Sequence, residues 1–222
     1  MATKFNISPA LGDGIYTVKD ASDILNISSS KMRSWLKERD STPSFLPSWG
    51  EGKKRGFNFK VLIEVFVIHS LRKLGVTLAK IKSAHEQLSD LLKTEYPFAN
   101  KGIFTDTNSI LFDLETFNSR DLLNLNQQQQ MEFKDLVEPF CHNIDFSEDG
   151  AERYWPNGRD GHIVVDPRHS FGRPSITGTN ITTEVISSLI EAGEETEDVA
   201  DQFEVSVEAV IAAYDYEHRT AA

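Results

Sequence analysis

The residue types best suited to chemistry gather near the front of the chain. Ser29, Ser30, Lys31, Arg33, Ser34 and Lys37 fall on the polar side of one predicted short helix. Lys53, Lys54 and Arg55 follow on a glycine-flanked tip. Hydroxyls and ammonium groups meet phosphates or base edges, and a guanidinium bridges guanine or phosphate. That set suits nucleic-acid binding. Signals for catalysis are thin. Cys141 and His142 are neighbours in sequence and point apart, with no third group to orient a base. His162, Asp166 and His169 lack zinc-like spacing. Asp145, Glu148, Asp149 and Glu152 read as a solvated acidic loop, and no phosphate-cradling glycine motif is present. We therefore expect neither an enzyme nor a cofactor or metal site.

Charge divides the chain. Residues 1–95 hold 15 Lys and Arg against 10 Asp and Glu, a balance of +5. Residues 96–222 hold 8 against 24, a balance of −16, so the overall −11 hides a basic front. A basic module suits phosphate, and an acidic one suits a basic protein partner. The 222 residues are enough for one large or two small domains. No apolar stretch reaches the roughly 20 residues of a membrane span. The single cysteine excludes an internal disulfide framework. With no secretion signal in the first residues, a cytoplasmic, membrane-free setting is expected.

The elements that must position these residues follow from periodicity. Thr17, with Asp20 three residues on, caps a helix burying Val18, Ala21, Ile24 and Leu25. After a turn at Asn26-Ile27-Ser28, Ser28 or Ser29 caps a second helix burying Met32, Trp35 and Leu36. Two short helices on a three-residue turn make a helix-turn-helix. The Pro- and Gly-rich stretch 41–56 reads as a hairpin with the basic tip. Helices from Phe59 to Gly75 and from Thr77 onward complete the block. In the middle, 103–105 and 109–113 predict a hairpin around Asp106-Thr107-Asn108. Gln127–Gln130 predict the exposed start of an amphipathic helix. Asn143–Phe146 and Ala151–Trp155 predict a second hairpin, and Ile163–Val165 a strand. An ordered loop marked by Pro167, Gly172, Pro174 and Gly178 then precedes three helices, about 183–192, 196–203 and from 207.

Several stretches of the front end occur in a familiar order: Tyr16–Leu25, Lys31-Met32-Arg33-Ser34-Trp35, Arg55-Gly56-Phe57-Asn58-Phe59 and Leu71–Lys82. Over about residues 15–93 the sequence resembles the MerR-type winged-helix family. The resemblance implies operator DNA as a partner, read as a homodimer. No long coiled coil follows Leu92, so the dimer surface is expected in the middle or C-terminal part.

The back end resembles a small VapB-type antitoxin module over roughly 160–220. Its matching residues include Val164–Arg168, Phe171-Gly172-Arg173-Pro174, Thr177-Gly178-Thr179, Glu191-Ala192-Gly193-Glu194 and Val199–Phe203. That resemblance implies a PIN-like ribonuclease toxin as partner. Arg168, Gly172, Arg173, Pro174 and Thr179 are the candidates for toxin binding or for structuring the loop. An arginine could reach the toxin's carboxylate cluster, or it could bond the loop's own carbonyls. The last helix carries Glu208, Asp215 and Glu217, the wrong charge for a DNA groove.

The expected architecture is α+β. It has a winged helix-turn-helix over 1–95, a β-containing connecting region over 96–160 and a helical module with helix-turn-helix rhythm over 161–222. The expected function is an autoregulating antitoxin. The alternative is a MerR-like transcription regulator whose acidic half senses a ligand or protein, with no toxin.

Overall fold

The computed structural model describes residues 12–36, 46–50, 55–104, 111–113 and 130–219. The fold is α+β, with eight α-helices and small antiparallel ribbons among the described residues. Strand β1 (Tyr16–Thr17) runs into α1 (Val18–Leu25). The capping box forms as the spacing predicts: Asp20 N donates to Thr17 Oγ1, and Thr17 N donates to Asp20 Oδ2 at 2.8 Å. Asn26 adopts φ 53°, and Ile27 N returns to Ser22 O, closing the turn before α2 (Ser29–Leu36).

Strand β2 (Gly56–Phe57) pairs with β1, and Trp49 bridges Gly56 in the antiparallel sense. Asn58 caps α3 (Phe59–Lys73) and Thr77 caps α4 (Leu78–Leu92). Helix α3 is apolar nearly all round and is the central strut of the larger core. At its centre Glu64 is fully buried. Its Oε1 accepts from Phe98 N (2.8 Å) and Ala99 N (3.0 Å), and its Oε2 lies 3.1 Å from His85 Nε2 on α4.

The middle region differs from the sequence expectation in two places. Leu111–Asp113 (β3) does not pair with Ile103 or Phe104, which lie in a 3-10 turn (Lys101–Phe104), and residues 105–110 lie outside the described residues. Strand β3 pairs instead with Gln130–Glu132 (β4). Gln130, the one described residue of the glutamine run, is not at the start of a helix. Gln130 is in β4, and α5 (Phe133–Cys141) begins only at Phe133. Gln127, Gln128 and Gln129 lie outside the described residues. A strand partner far along the chain outweighed the local polarity that suggested an exposed helical turn.

Strands β5 (Ile144–Ser147) and β6 (Gly150–Tyr154) form the expected hairpin. Its residues join the front end's core: Ala151 N donates to Ala99 O, and Tyr154 packs on Phe66 of α3 with ring centroids 4.9 Å apart. Cys141 is buried here, and burial first, then Glu138, pushes its thiol up to about 12, so it is not an ionised nucleophile at neutral pH.

Tyr154 bridges Val165, which leads from β7 (Ile163–Val164) into the back end. β7 pairs with β8 (Ser175–Ile176), a partner set by the intervening loop. Then come α6 (Thr183–Glu191), α7 (Thr196–Phe203) and α8 (Val207–His218), close to their predicted bounds. They enclose a second, smaller core around Ile163, Ile186, Val199, Val210 and Tyr216. No helix of the described residues is long and apolar enough to cross a membrane.

Candidate functional site

The predicted basic face resolves into exposed and engaged parts. On α2, Met32, Trp35 and Leu36 turn inward, which leaves Ser30, Lys31, Arg33 and Ser34 exposed on the other side. Their 3.6-residue spacing makes them one face. Ser29 is half-buried and donates to Ser22 Oγ at 3.1 Å, tying α2 to α1. Arg55 is half-buried and donates to Leu36 O, the carbonyl end of α2. A cation there completes the unpaired carbonyls of the last turn and suits the helix dipole. Lys37, Lys53 and Lys54 lie outside the described residues.

The second candidate set is organised by one buried carboxylate. Asp166 is 3% exposed. It accepts from Arg153 Nε (2.9 Å), Arg168 N (2.9 Å) and Arg168 Nε (3.4 Å), and His169 Nδ1 stands 3.2 Å away. Burial alone would raise its pKa, but the hydrogen bonds from Arg153 and Arg168 outweigh it and hold the carboxyl below its usual range. Arg168 also reaches Glu152 at 3.3 Å. His162 is held elsewhere, its carbonyl accepting from Thr177. No group of three or more metal-ligating side chains occurs among the described residues.

The loop after Asp166 is left-handed at three successive residues: Ser170 (φ 48°), Phe171 (φ 56°) and Gly172 (φ 77°). Ser170 Oγ donates to Asn180 O, and Arg173 N to Ser170 O. Pro174 O accepts from Thr183 N at 3.0 Å, which seats the loop on the start of α6. Thr179 accepts from Ile181 N and donates to Ile176 O, closing the next turn. Arg173 pairs with Glu184 at 3.3 Å, both largely exposed.

Arg168 and Arg173 therefore differ. We expect Arg168→Ala to lower the thermal midpoint of the free protein, because it removes the side-chain bond to the buried Asp166 carboxylate, worth about 1.5–3 kcal/mol when charged, while the bond from the backbone amide remains. Arg173→Ala should leave the midpoint within a degree or two, since an exposed pair contributes about 0–1 kcal/mol. Thermal unfolding followed by circular dichroism separates the two. Equal losses would contradict the distinction.

A cleft of about 730 Å³ lies between α1, the turn before α2, the 171–174 loop and the end of α8. Sequence reasoning did not anticipate this junction. Arg219 donates to Asp23 O and Ile24 O (3.0 Å), supplying the C-terminal cation that α1 lacks. Its guanidinium also lies 3.5 Å above the Tyr216 ring. Tyr16, 2% exposed, sits under Gly172 with its hydroxyl unpaired among the described residues. Burial and the carboxylates of Asp166 and Asp20 keep that phenol protonated.

Comparison with known proteins agrees with this layout. Residues 163–216 match a family described as "Protein of unknown function (DUF433)". Over 224 residues the chain is 24% identical to a Mycobacterium tuberculosis protein named "Putative antitoxin VapB45", covering 90% of this chain and 92% of that one. The X-ray crystal structure of Rv2018 from Mycobacterium tuberculosis superposes with a TM-score of 0.68 at 21% identity, over 89% of this chain and 96% of that one. The chain thus shares its α+β fold with that solved structure along most of its length, and its back end carries the DUF433 match.

Proposed function

We propose that this protein is an antitoxin that binds its own operator and neutralises a PIN-like ribonuclease toxin. The observation that carries the reading is its similarity, over nine-tenths of the chain, to a protein named as an antitoxin. In this reading residues 1–95 are a MerR-like winged helix-turn-helix, residues 96–160 brace it, and residues 161–222 are the VapB-type module. The protein works as a cytoplasmic homodimer, and its role is binding rather than catalysis.

Two features support the division of labour. Lys31 and Arg33 of α2 are exposed, with Ser30 and Ser34 on the same side, and in this reading they meet the major groove. Lys37, Lys53 and Lys54, outside the described residues, are further phosphate contacts in this reading, while Arg55 braces the end of α2. The back end is acidic instead: Glu194, Glu195, Glu197, Asp198, Asp201 and Glu204 are all exposed around α7. A ribonuclease attracts a polyanion, so its rim is basic, and this surface steers it into rapid association. Arg173 at the loop is the exposed cation able to pair with a toxin carboxylate.

Co-expression with the neighbouring reading frame tests the antitoxin role. A PIN-like product should co-purify and lose its ribonuclease activity. A neighbour that never binds, or stays fully active when bound, overturns it. For DNA, Arg33→Ala should weaken operator binding by about 1–3 kcal/mol if the guanidinium is bidentate to a base, and Lys31→Ala should reduce the salt slope by about 1. Gel-shift titrations at several salt concentrations read both. Unchanged affinity and slope in the double variant would exclude α2 as the reading helix.

A further inference from the structure

Phe171 is 90% exposed, the most exposed large hydrophobic side chain among the described residues. Its backbone is also left-handed (φ 56°, ψ 27°), a conformation that a bulky residue rarely adopts. Both features are unfavourable for the isolated chain, yet the loop enforces them. Asp166, clasped by Arg153 and Arg168, holds one end, and Ser170 and Pro174 fasten the other. Strain held in place by the surrounding structure points to function.

Phe171 lines the junction cleft, as does Ile15, which is 59% exposed. The charges of that cleft are close to balanced. Lys19, Arg173 and Arg219 supply the cations. Asp20, Asp23, Glu184 and Glu217 supply the anions. Elsewhere residues 96–222 are strongly acidic, at −16. Two copies of a chain at −11 repel each other face to face over most of that surface, and a basic partner is drawn to it. Lys19 is paired with Asp23 and Arg173 with Glu184, so this is a near-neutral patch with an exposed aromatic, which a second copy approaches without the repulsion it meets elsewhere.

We propose that the Phe171 loop and the adjoining cleft form the two-fold contact with a second copy of this chain, each Phe171 seating in the partner's cleft. The exposed face of α2 takes no part in lining the cleft, so it stays free for DNA. The inference rests on the homodimer of the proposed function and adds its surface.

Light scattering across a concentration series tests it, with Phe171→Asn and Phe171→Glu compared with the natural chain. Asn tolerates the left-handed region, so the variant fold should be kept and the far-UV spectrum unchanged. The natural chain should be a dimer. Both variants should raise the dimer dissociation constant at least about 30-fold, as loss of a central aromatic anchor does. A natural chain that is monomeric throughout the series overturns both the dimer and this surface. A dimer that Phe171 variants leave intact overturns the surface alone. So does an intact dimer in variants that have lost the neighbouring toxin, because the anchor would then belong to that partner.

Discussion

Gly172→Ala should be among the most damaging single changes in the back end. A Cβ built on Gly172 would stand 2.0 Å from the Tyr16 hydroxyl and 2.7 Å from Tyr16 Cζ. Tyr16 is at the floor of the larger core and cannot step aside. The residue's φ of 77° adds a second obstacle. A non-glycine residue in that region costs about 1–2 kcal/mol. Overpacking a buried site adds about 1–3 kcal/mol. We expect a combined loss of about 2–5 kcal/mol in urea unfolding. Tyr16→Phe removes the nearest of the clashing atoms and also an unpaired buried hydroxyl. By itself it should be neutral or stabilising, since it leaves no orphaned partner. In combination with Gly172→Ala it should restore part of the loss. Equal stability of the natural chain and Gly172→Ala would mean that the loop and the helix-turn-helix are not locked together.

Glu64→Ala should be as severe for the front end. The carboxylate is fully buried in α3 and accepts the amides of Phe98 and Ala99. Those donors belong to the turn that follows α4, and Ala99 O in turn receives Ala151 N from β6. One side chain thus ties α3 to the segment on which the middle hairpin rests. Its removal strands two buried amides and takes a partner from His85, 3.1 Å away. Each buried polar group left unsatisfied costs about 1–3 kcal/mol. Glu64→Gln keeps one acceptor for the amides and should lose less. Chemical denaturation of both variants reads the difference, and hydrogen exchange at Phe98 and Ala99 should rise first in Glu64→Ala. Unchanged protection at those amides would show that the bonds contribute nothing.

Local signals were legible wherever both partners lie within one helical turn. Thr17 with Asp20, Asn58 with Val61, Thr77 with Lys80 and Ser206 with Ala209 form their caps with spacings of three residues. The same reach explains why α1, α2 and α6 to α8 appear close to their expected bounds. Periodicity also identified the outward face of α2, because burying Met32, Trp35 and Leu36 obliges Lys31 and Arg33 to face away. The misreadings arose where the partner is distant. Leu111–Asp113 could pair with any nearby extended segment, and only the assembled fold chooses Gln130–Glu132. Arg55 looked like a tip cation, and its carbonyl partner, Leu36 O, belongs to a helix well before it.

The sequence by itself determined the α+β composition, the two short helices at the front, the three closing helices and the division into basic and acidic halves. Each depends on propensity, capping or charge, properties carried by residues within a few positions of one another. Tertiary structure alone decided how those parts meet. It placed Tyr16 beneath Gly172, set Arg219 on the end of α1 and turned Phe171 outward from a strained loop. Those contacts join residues from opposite ends of the chain. No local period encodes them, because close packing selects them only once every element is in place.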